Sequence, residues 1–532
     1  MKVIALFALV AFAFALSWPK EYYLHGTMSM PYVNLTIPVA VDEKNGQQMV
    51  DIYDGKQKTF FVPNTGLYTS YIAKDHRECT IATDGEQVPV LPDMTLFKKL
   101  DGTVRVNGVV CDHYRYQPTQ YQRICHYDLY VNHQTQAPVQ FKMLGQNLIW
   151  GSHYDIYVLD VDTFVAGFSK RLDFDLPSEC QNVHTEEPVS GAYAMLQSFF
   201  STPIASETGD AAFDSFAAEH GRHYSASEAA HRRAVFEHNH AYILATNAMA
   251  ERNDPTALVL KVNEHADKTL KEVLRGSTGH NARVRDETLC NHPDYTYSAA
   301  RNTPASVDWR VDGVVSPRVP DQAFCGSCWT FGATGAIEGR IAVAKSKKTG
   351  APVEAVVLSK QAIVDCFWDT TNLGCMGGTG EAAFHWMWSN KIALPTEVEY
   401  PYLGVNDYCH FDTSASAAPT IDGCAMISAK DVKGLKQAIA EGPVSVAIAV
   451  PMSFVFYDHG IFKDNSCGQE HADLEHAVLA VGYGSLNGKD FAIVRNSWST
   501  HWGNNGYIYM DITDDYNNCG IATEAKFPTV SV

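Results

Sequence analysis

The sequence predicts an α+β protein in three successive parts: an antiparallel all-β domain, a small helical domain, and a mixed α+β domain at the C-terminus. Three observations carry this reading. Residues 18 to about 168 are rich in Tyr, Val, Thr, Ile and Phe, carry the turn signals Asp54-Gly55, Asp101-Gly102 and Asn107-Gly108, and lack long helical periodicity. Further on, Glu228, Arg232, Phe236, Asn239, Ile243 and Asn247 recur at spacings of four, four, three, four and four, which lines one stripe of one helix. Finally, Gln322-Ala-Phe-Cys325-Gly-Ser-Cys328-Trp-Thr-Phe331 sets a thiol at the start of a second helical pattern. A chain of 532 residues suits about three units at ~150 residues each.

Composition narrows the class. With 46% hydrophobic and 19% charged residues the chain can bury large cores. The formal net charge of −19 argues against a nucleic-acid partner, which needs concentrated Lys and Arg. Residues 1–17 hold Lys2, an apolar run and Ala15-Leu-Ser17, the pattern of a secretory signal peptide. No later stretch approaches the ~20 apolar residues of a transmembrane helix. Entry into the secretory pathway permits disulfides and makes Asn34-Leu-Thr36 a glycosylation acceptor.

The β-rich domain is expected over residues 18–186. Its cysteines, Cys79, Cys111, Cys125 and Cys180, would form two disulfides of unknown pairing. It offers no nucleophile, paired acid or metal cluster, which suits a folding, targeting or exosite domain. The alternative is a carrier whose curved sheet encloses an apolar ligand. Residues 187–209 lose strand character and read as a linker. The helical domain then occupies 210–303 and the last domain 304–532.

Chemistry concentrates at Cys328. A helix N-terminus favours thiolate over thiol, and the thiolate is the nucleophile. Gln322, six residues earlier, is placed to donate with the Cys328 N–H to an oxygen that becomes negative during acyl transfer. Cys325 and Cys328 also fit half of a metal site or a redox C-x-x-C pair. His476 in an apolar strand and Asn496 before Ser-Trp498 complete a nucleophile, base and orienting amide. Trp498 would cover the His–Asn contact. His471 with Glu475-His476 approximates the zinc pattern H-x-x-E-H, but one residue too many intervenes. Neither metal nor cofactor is required. Gly377-Gly378 offers open backbone for β-type pairing with an extended substrate.

The stretch Cys325-Gly-Ser-Cys328-Trp resembles the signature of the papain and cathepsin family, with His476 and Asn496 roughly 150 and 170 residues downstream, close to and a little beyond the family's ~130 to 150. The resemblance covers about residues 210–532. It implies a two-lobed catalytic domain, one lobe helical and one a β-barrel, acting on protein and peptide substrates as a cysteine endopeptidase. The stripe from Glu228 to Asn247 resembles the ERFNIN pattern of cathepsin L-like propeptides. A second propeptide motif, usually Gly-x-Asn-x-Phe-x-Asp, stands here as Lys261-Val-Asn263-Glu-His265-Ala-Asp267, with Lys261 and His265 as departures. The resemblance implies that this segment crosses the cleft in reverse and inhibits its own enzyme until removed. Release on acidification is expected to involve Asp267.

It further implies the disulfides Cys325–Cys375, Cys366–Cys409 and Cys467–Cys519, leaving Cys328 free. Cys424 is then left over, and we expect it to pair with Cys290, tethering the prosegment tail after cleavage between about Cys290 and Ser306. The family's S2 pocket maps onto Thr379, Gly380, Ala447, Leu474, Ala477 and Glu524. Glu524 on its floor, as in cathepsin B-like relatives, implies acceptance of Arg or Lys beside apolar side chains. No insertion resembles an occluding loop. Cathepsin C also carries a β domain ahead of its propeptide, so a dipeptidyl peptidase is the alternative. The layout resembles arthropod haemocyte-type cysteine proteases, lysosomal, granular or secreted, in which the cleaved N-terminal domain would associate with the catalytic domain.

Overall fold

One strand anchors the N-terminal domain: the chain meanders outward from it to one edge of the sheet, crosses to the other edge and meanders back to it. The computed structural model describes residues 18–531 except 45, 84–90, 118, 121–122, 147–153, 168–173, 182, 184–190, 201–210, 223, 225, 251–253, 281–286, 294, 302 and 412–420; the expected signal peptide, residues 1–17, lies outside it. Tyr22–Met30 pairs on one side with Leu35–Lys44 and on the other with Tyr154–Ala166. Four more antiparallel strands on each side of these three give an 11-stranded sheet. The register slips between His25 and Gly26. Any Cβ at Gly26 would collide with the Asp160 carbonyl oxygen, so glycine is what lets the two central strands close there.

Inside the stretch read as a linker, Gly191–Phe200 forms a helix, α1. Tyr193, Leu196, Phe199 and Phe200 are buried in the β-domain core. Phe199 meets Phe141 at 4.9 Å between ring centroids, and the Tyr193 hydroxyl donates to Gln48 at 3.2 Å. One face of the sheet is therefore covered by the protein's own helix. A second correction concerns the cysteines. Cys79 bonds to Cys180, but Cys111 and Cys125 form no disulfide. Cys111 stands opposite Asn132, whereas Cys125 lies beyond the Tyr116–Tyr127 pair at the other end of the same ladder. Five residue pairs at ~3.4 Å each far exceed the ~6 Å a disulfide spans.

The propeptide region contains α2 (Ala211–Glu219), α3 (Ala226–Met249) and α4 (Leu270–Ser277). The polar members of the α3 stripe do specific work. Arg232 pairs with Glu228 at 2.9 Å and Glu272 at 2.8 Å. Asn239 donates to the Ala266 and Lys268 carbonyls, and Asn247 brackets the backbone of Leu260. Phe236 and Ile243 fill the core between them. The returning chain pairs Val259–Leu260 with Tyr457–His459, and Asn263 donates to the Val455 carbonyl at 2.7 Å.

In the last domain α5 (Cys328–Thr349) is buried from Cys328 through Val343. It packs between the helical lobe, with α6 (Lys360–Cys366) and α7 (Gly380–Ser389), and a sheet that includes Glu524–Val530, Val444–Ile448, His476–Leu486 and Lys489–Arg495. The Sγ atoms of Cys325 and Cys375, Cys366 and Cys409, Cys467 and Cys519, and Cys290 and Cys424 are bonded in pairs. The β domain rests on the helical lobe. Tyr53 donates to the Leu403 carbonyl at 2.8 Å, Asn406 to the Ile72 carbonyl at 3.0 Å, and Lys56 pairs with Asp407 at 3.2 Å. Val405 enters the β-domain core, with Leu403 and Phe324 against it. Among the described residues, no helix is long and apolar enough to cross a membrane. Asn34 sits exposed in the turn after the first strand.

Denatured without reductant, the protein should take up thiol label at Cys111, Cys125 and Cys328. Label at Cys328 alone, by peptide mapping, would restore the second N-terminal disulfide.

Candidate active site

The N-terminus of α5 is held from three sides. Cys325 is tied to Cys375, the Gly326 N–H donates to the Cys375 carbonyl at 2.9 Å, and the Gln322 N–H donates to the Ser497 carbonyl at 2.9 Å. Cys325 is thus neither a metal ligand nor a redox partner of Cys328. The Gln322 side chain is oriented by two contacts: its Nε2 donates to the Cys325 carbonyl at 2.9 Å, and its Oε1 accepts from Ser497 Oγ at 2.7 Å. Tyr402, a residue the sequence did not single out, donates to the Gln322 carbonyl at 2.9 Å.

Facing this turn, His476 begins a strand of the β lobe and Asn496 follows the next one. His476 Nε2 lies 2.7 Å from Asn496 Oδ1. That oxygen also accepts from the Ser497 N–H at 2.8 Å, so it is an acceptor and Nε2 carries the proton. Nδ1 keeps its lone pair and has no hydrogen-bond partner. Cys328 Sγ accepts from the Ala477 N–H at 3.4 Å, beside that imidazole. Trp498 covers the histidine, with ring centroids 5.0 Å apart.

Residues 277–280 of the prosegment seal the site. Trp498 Nε1 donates to the Ser277 carbonyl at 2.9 Å. The N–H groups of Gly279 and His280 donate to the Glu475 carbonyl at 3.2 and 2.9 Å, and the Gly378 N–H donates to the Gly279 carbonyl at 2.9 Å. Gly377 has φ +116°, and a Cβ there would stand 2.8 Å from the Gly279 carbonyl oxygen. Gly279 in turn has no room for a Cβ against the Gly326 carbonyl.

Sealing changes the ionisation. Burial pushes the Cys328 thiol up to about 12, against the opposing N–H groups of Ala477, Gly279 and Trp329. Burial pushes His476 down to about 4, against its bond to Asn496. While the prosegment is in place the thiol and the imidazole are therefore both neutral, because desolvation outweighs the helix terminus that favours the thiolate.

The residues placed in S2 by resemblance come together. Ala447 sits opposite both Ala477 and Glu524 across adjacent strands. Thr379 and Gly380 begin α7, and Leu474 is fully buried nearby. Glu524 is not alone on the floor. It accepts from Nε2 of prosegment His280 at 2.9 Å and from His471 Nδ1 at 2.8 Å, with Lys526 Nζ at 3.4 Å. Lys526 also contacts Glu381. Burial opposes its charge, but Lys526, then His280 and His471, hold the Glu524 carboxyl well below the usual range. Lys526, Glu381 and His280 were not anticipated. The one signal was Lys526, a lysine two residues after Glu524 and followed by Phe527 and Pro528 in the strand Glu524–Val530.

Two family profiles match: papain family cysteine protease over residues 303–529, and cathepsin propeptide inhibitor domain (I29) over residues 213–273. Digestive cysteine proteinase 2 of Homarus americanus is 38% identical over 330 residues, 62% of this chain and 97% of its own length. Cathepsin L-like peptidase of Aedes aegypti is 42% identical over 279 residues, 51% and 78% of the two chains. Digestive procathepsin L2 from Tenebrio molitor larval midgut superposes with a TM-score of 0.51 at 32% identity, covering 60% of this chain and 99% of that one.

Replacing Gly279→Ala should unseat the prosegment. The uncleaved variant is expected to turn over a small peptide substrate at neutral pH at least ~10 times faster than the uncleaved parent. Equal, negligible rates would show that the contact with Gly326 does not hold the seal.

Proposed function

The chain belongs to the papain family of cysteine proteases and carries its own inhibitory propeptide, and from that premise we propose an endopeptidase activated by acid, with an S2 pocket for apolar and basic side chains. The observation that carries the proposal is the Cys328, His476 and Asn496 arrangement, with a proton fixed on Nε2 and a vacant Nδ1 beside the thiol. Once the prosegment leaves and water enters, the thiol proton passes to Nδ1. Sγ then bonds to the peptide carbonyl carbon, and the oxyanion is met by Gln322 and the Cys328 N–H. The C–N bond breaks as His476 returns the proton to the departing amine. Water, deprotonated by His476, cleaves the thioester and frees the thiol.

Three features bear on specificity and processing. His280 occupies the position of a P2 side chain, so its departure leaves Glu524 Oε2 facing an empty pocket where a cationic P2 group gains a charged hydrogen bond. The β-domain contacts named above are made by Phe324, Leu403, Val405, Asn406 and Asp407, beside Gln322 and not at Glu524, which favours an endopeptidase over a dipeptidyl peptidase. The Cys290–Cys424 bond keeps the prosegment tail attached after any cut beyond Cys290. The β domain, held to Leu403, Asn406 and Asp407 without help from the propeptide, stays associated.

His265 supplies the acid trigger. Its ring is fully buried, edge-on to Trp498 at 5.8 Å, with Glu264 at 3.5 Å and Lys268, Arg222 and His220 around it. Burial, then Lys268 and Arg222, push its pKa well below the usual histidine range. The docked propeptide therefore prefers neutral His265, and docking weakens as pH falls below the ~6.5 of a released histidine. Glu264, pushed up to about 7 by burial, has the opposite sign and docks better when protonated. Burial opposes the charge of Asp267, but Arg222, Lys268 and Tyr224 keep its pKa below normal, so its contribution is lost only below the ~3.9 of a free carboxyl. His265 thus responds first, ahead of the expected Asp267.

Acid-activated enzyme should hydrolyse blocked Phe-Arg and Arg-Arg fluorogenic peptides, and Cys328→Ala should abolish both. Glu524→Gln should lower Arg-Arg turnover by about tenfold and spare Phe-Arg; equal losses would remove Glu524 from P2 recognition. His265→Phe should move the midpoint of self-activation about one unit toward acid, and an unchanged midpoint would eliminate His265 as the trigger.

A further inference from the structure

The turn between Tyr22–Met30 and Leu35–Lys44 brings Tyr32 of the β domain to the catalytic domain. Its ring lies 5.6 Å from that of His501. Its hydroxyl is in hydrogen-bond contact with Ser499 and Thr500. These residues directly follow Trp498, which bounds the catalytic cleft. Phe324, half-buried in the turn between Gln322 and Cys328, also packs against the β domain.

The prosegment gives this end of the cleft a direction. From His280 at Glu524, the chain runs back over Cys328 at Gly279 to Ser277 at Trp498. A substrate whose P2 side chain faces Glu524 therefore has its leaving-group half on the Trp498 side. Removing the propeptide vacates that groove, where α4 ends. It does not remove Tyr32, because the β domain is fastened through Tyr53, Asn406 and Lys56, none of which touches the propeptide in these bonds.

We propose that Tyr32, with His501, forms a primed-side subsite that binds an apolar side chain two or more residues beyond the scissile bond. The proposal rests on the protease reading above. Tyr32 is half-buried and His501 exposed, so the tyrosine ring and the imidazole beside it offer an apolar surface at the rim. The N-terminal domain thus shares in substrate selection, on the side opposite the Glu524 pocket.

The test uses activated full-length protein and Tyr32→Ala and Tyr32→Phe variants, each checked by gel filtration for co-elution of the β domain. One substrate is a blocked dipeptide coumarin, which ends at the scissile bond. The others are internally quenched peptides with the same acyl half and Leu or Phe at successive primed positions. Tyr32→Ala, with the β domain still bound, should lower kcat/KM for the primed-side peptides about threefold to tenfold and leave the coumarin substrate unchanged. Tyr32→Phe should behave as the parent. An unchanged ratio between the two substrate classes in Tyr32→Ala would overturn the subsite. Failure of the parent to cleave the coumarin substrate would instead overturn the protease reading.

Discussion

Desolvation of two side chains is the constraint on which the rest depends. Cys328 and His476 are useful only as a charged pair, and charge is costly where water is excluded. Four prosegment residues exclude it, leaving the thiol near 12 and the imidazole near 4. Inhibition is therefore more than steric. The segment that fills the cleft also discharges the nucleophile, and its departure restores both access and ionisation.

The remaining architecture positions that seal and makes it reversible. The close approach of Gly279 to Gly326 and Gly377 requires bare backbone on each chain. The polar residues of α3 grip the returning loop, and that loop presents His265 to Trp498. On the proposed reading, a buried neutral histidine there couples the seal to pH. At the far end His280 meets a pocket whose acid is braced by His471 and Lys526. The inhibitory segment and, on the proposed specificity, a basic P2 side chain thus meet the same carboxylate.

The grouping of Gln322, Cys328, His476 and Asn496 was legible because the proposed chemistry demands residue types in a fixed order: Gln322 and Cys328 within one turn, then His476 and Asn496. The α3 stripe was legible because helical spacing records it directly. What failed depended on contacts distant in sequence. Lys526 reaches Glu381 across 145 positions and His280 reaches Glu524 across 244, so no local pattern encodes either pair. The helix α1 was read as linker because ten residues give periodicity little room, and its burial depends on a sheet formed earlier in the chain. The pairing of Cys79 with Cys180 was open for the same reason, since four cysteines allow three connectivities. The helix terminus that favours a Cys328 thiolate was legible because it is local, whereas the cover that keeps the thiol neutral in the zymogen is built from residues distant in sequence.

The most direct measurement is the ultraviolet absorbance of the Cys328 thiolate as a function of pH, taken as the difference between parent and Cys328→Ala proteins so that Cys111 and Cys125 cancel. In the zymogen no Cys328 thiolate should form across the range in which the propeptide stays docked up to about pH 10. After propeptide removal it should be present at neutral pH. A thiolate signal of equal size at neutral pH before and after removal would contradict the account, because the seal would then block the cleft without discharging the nucleophile.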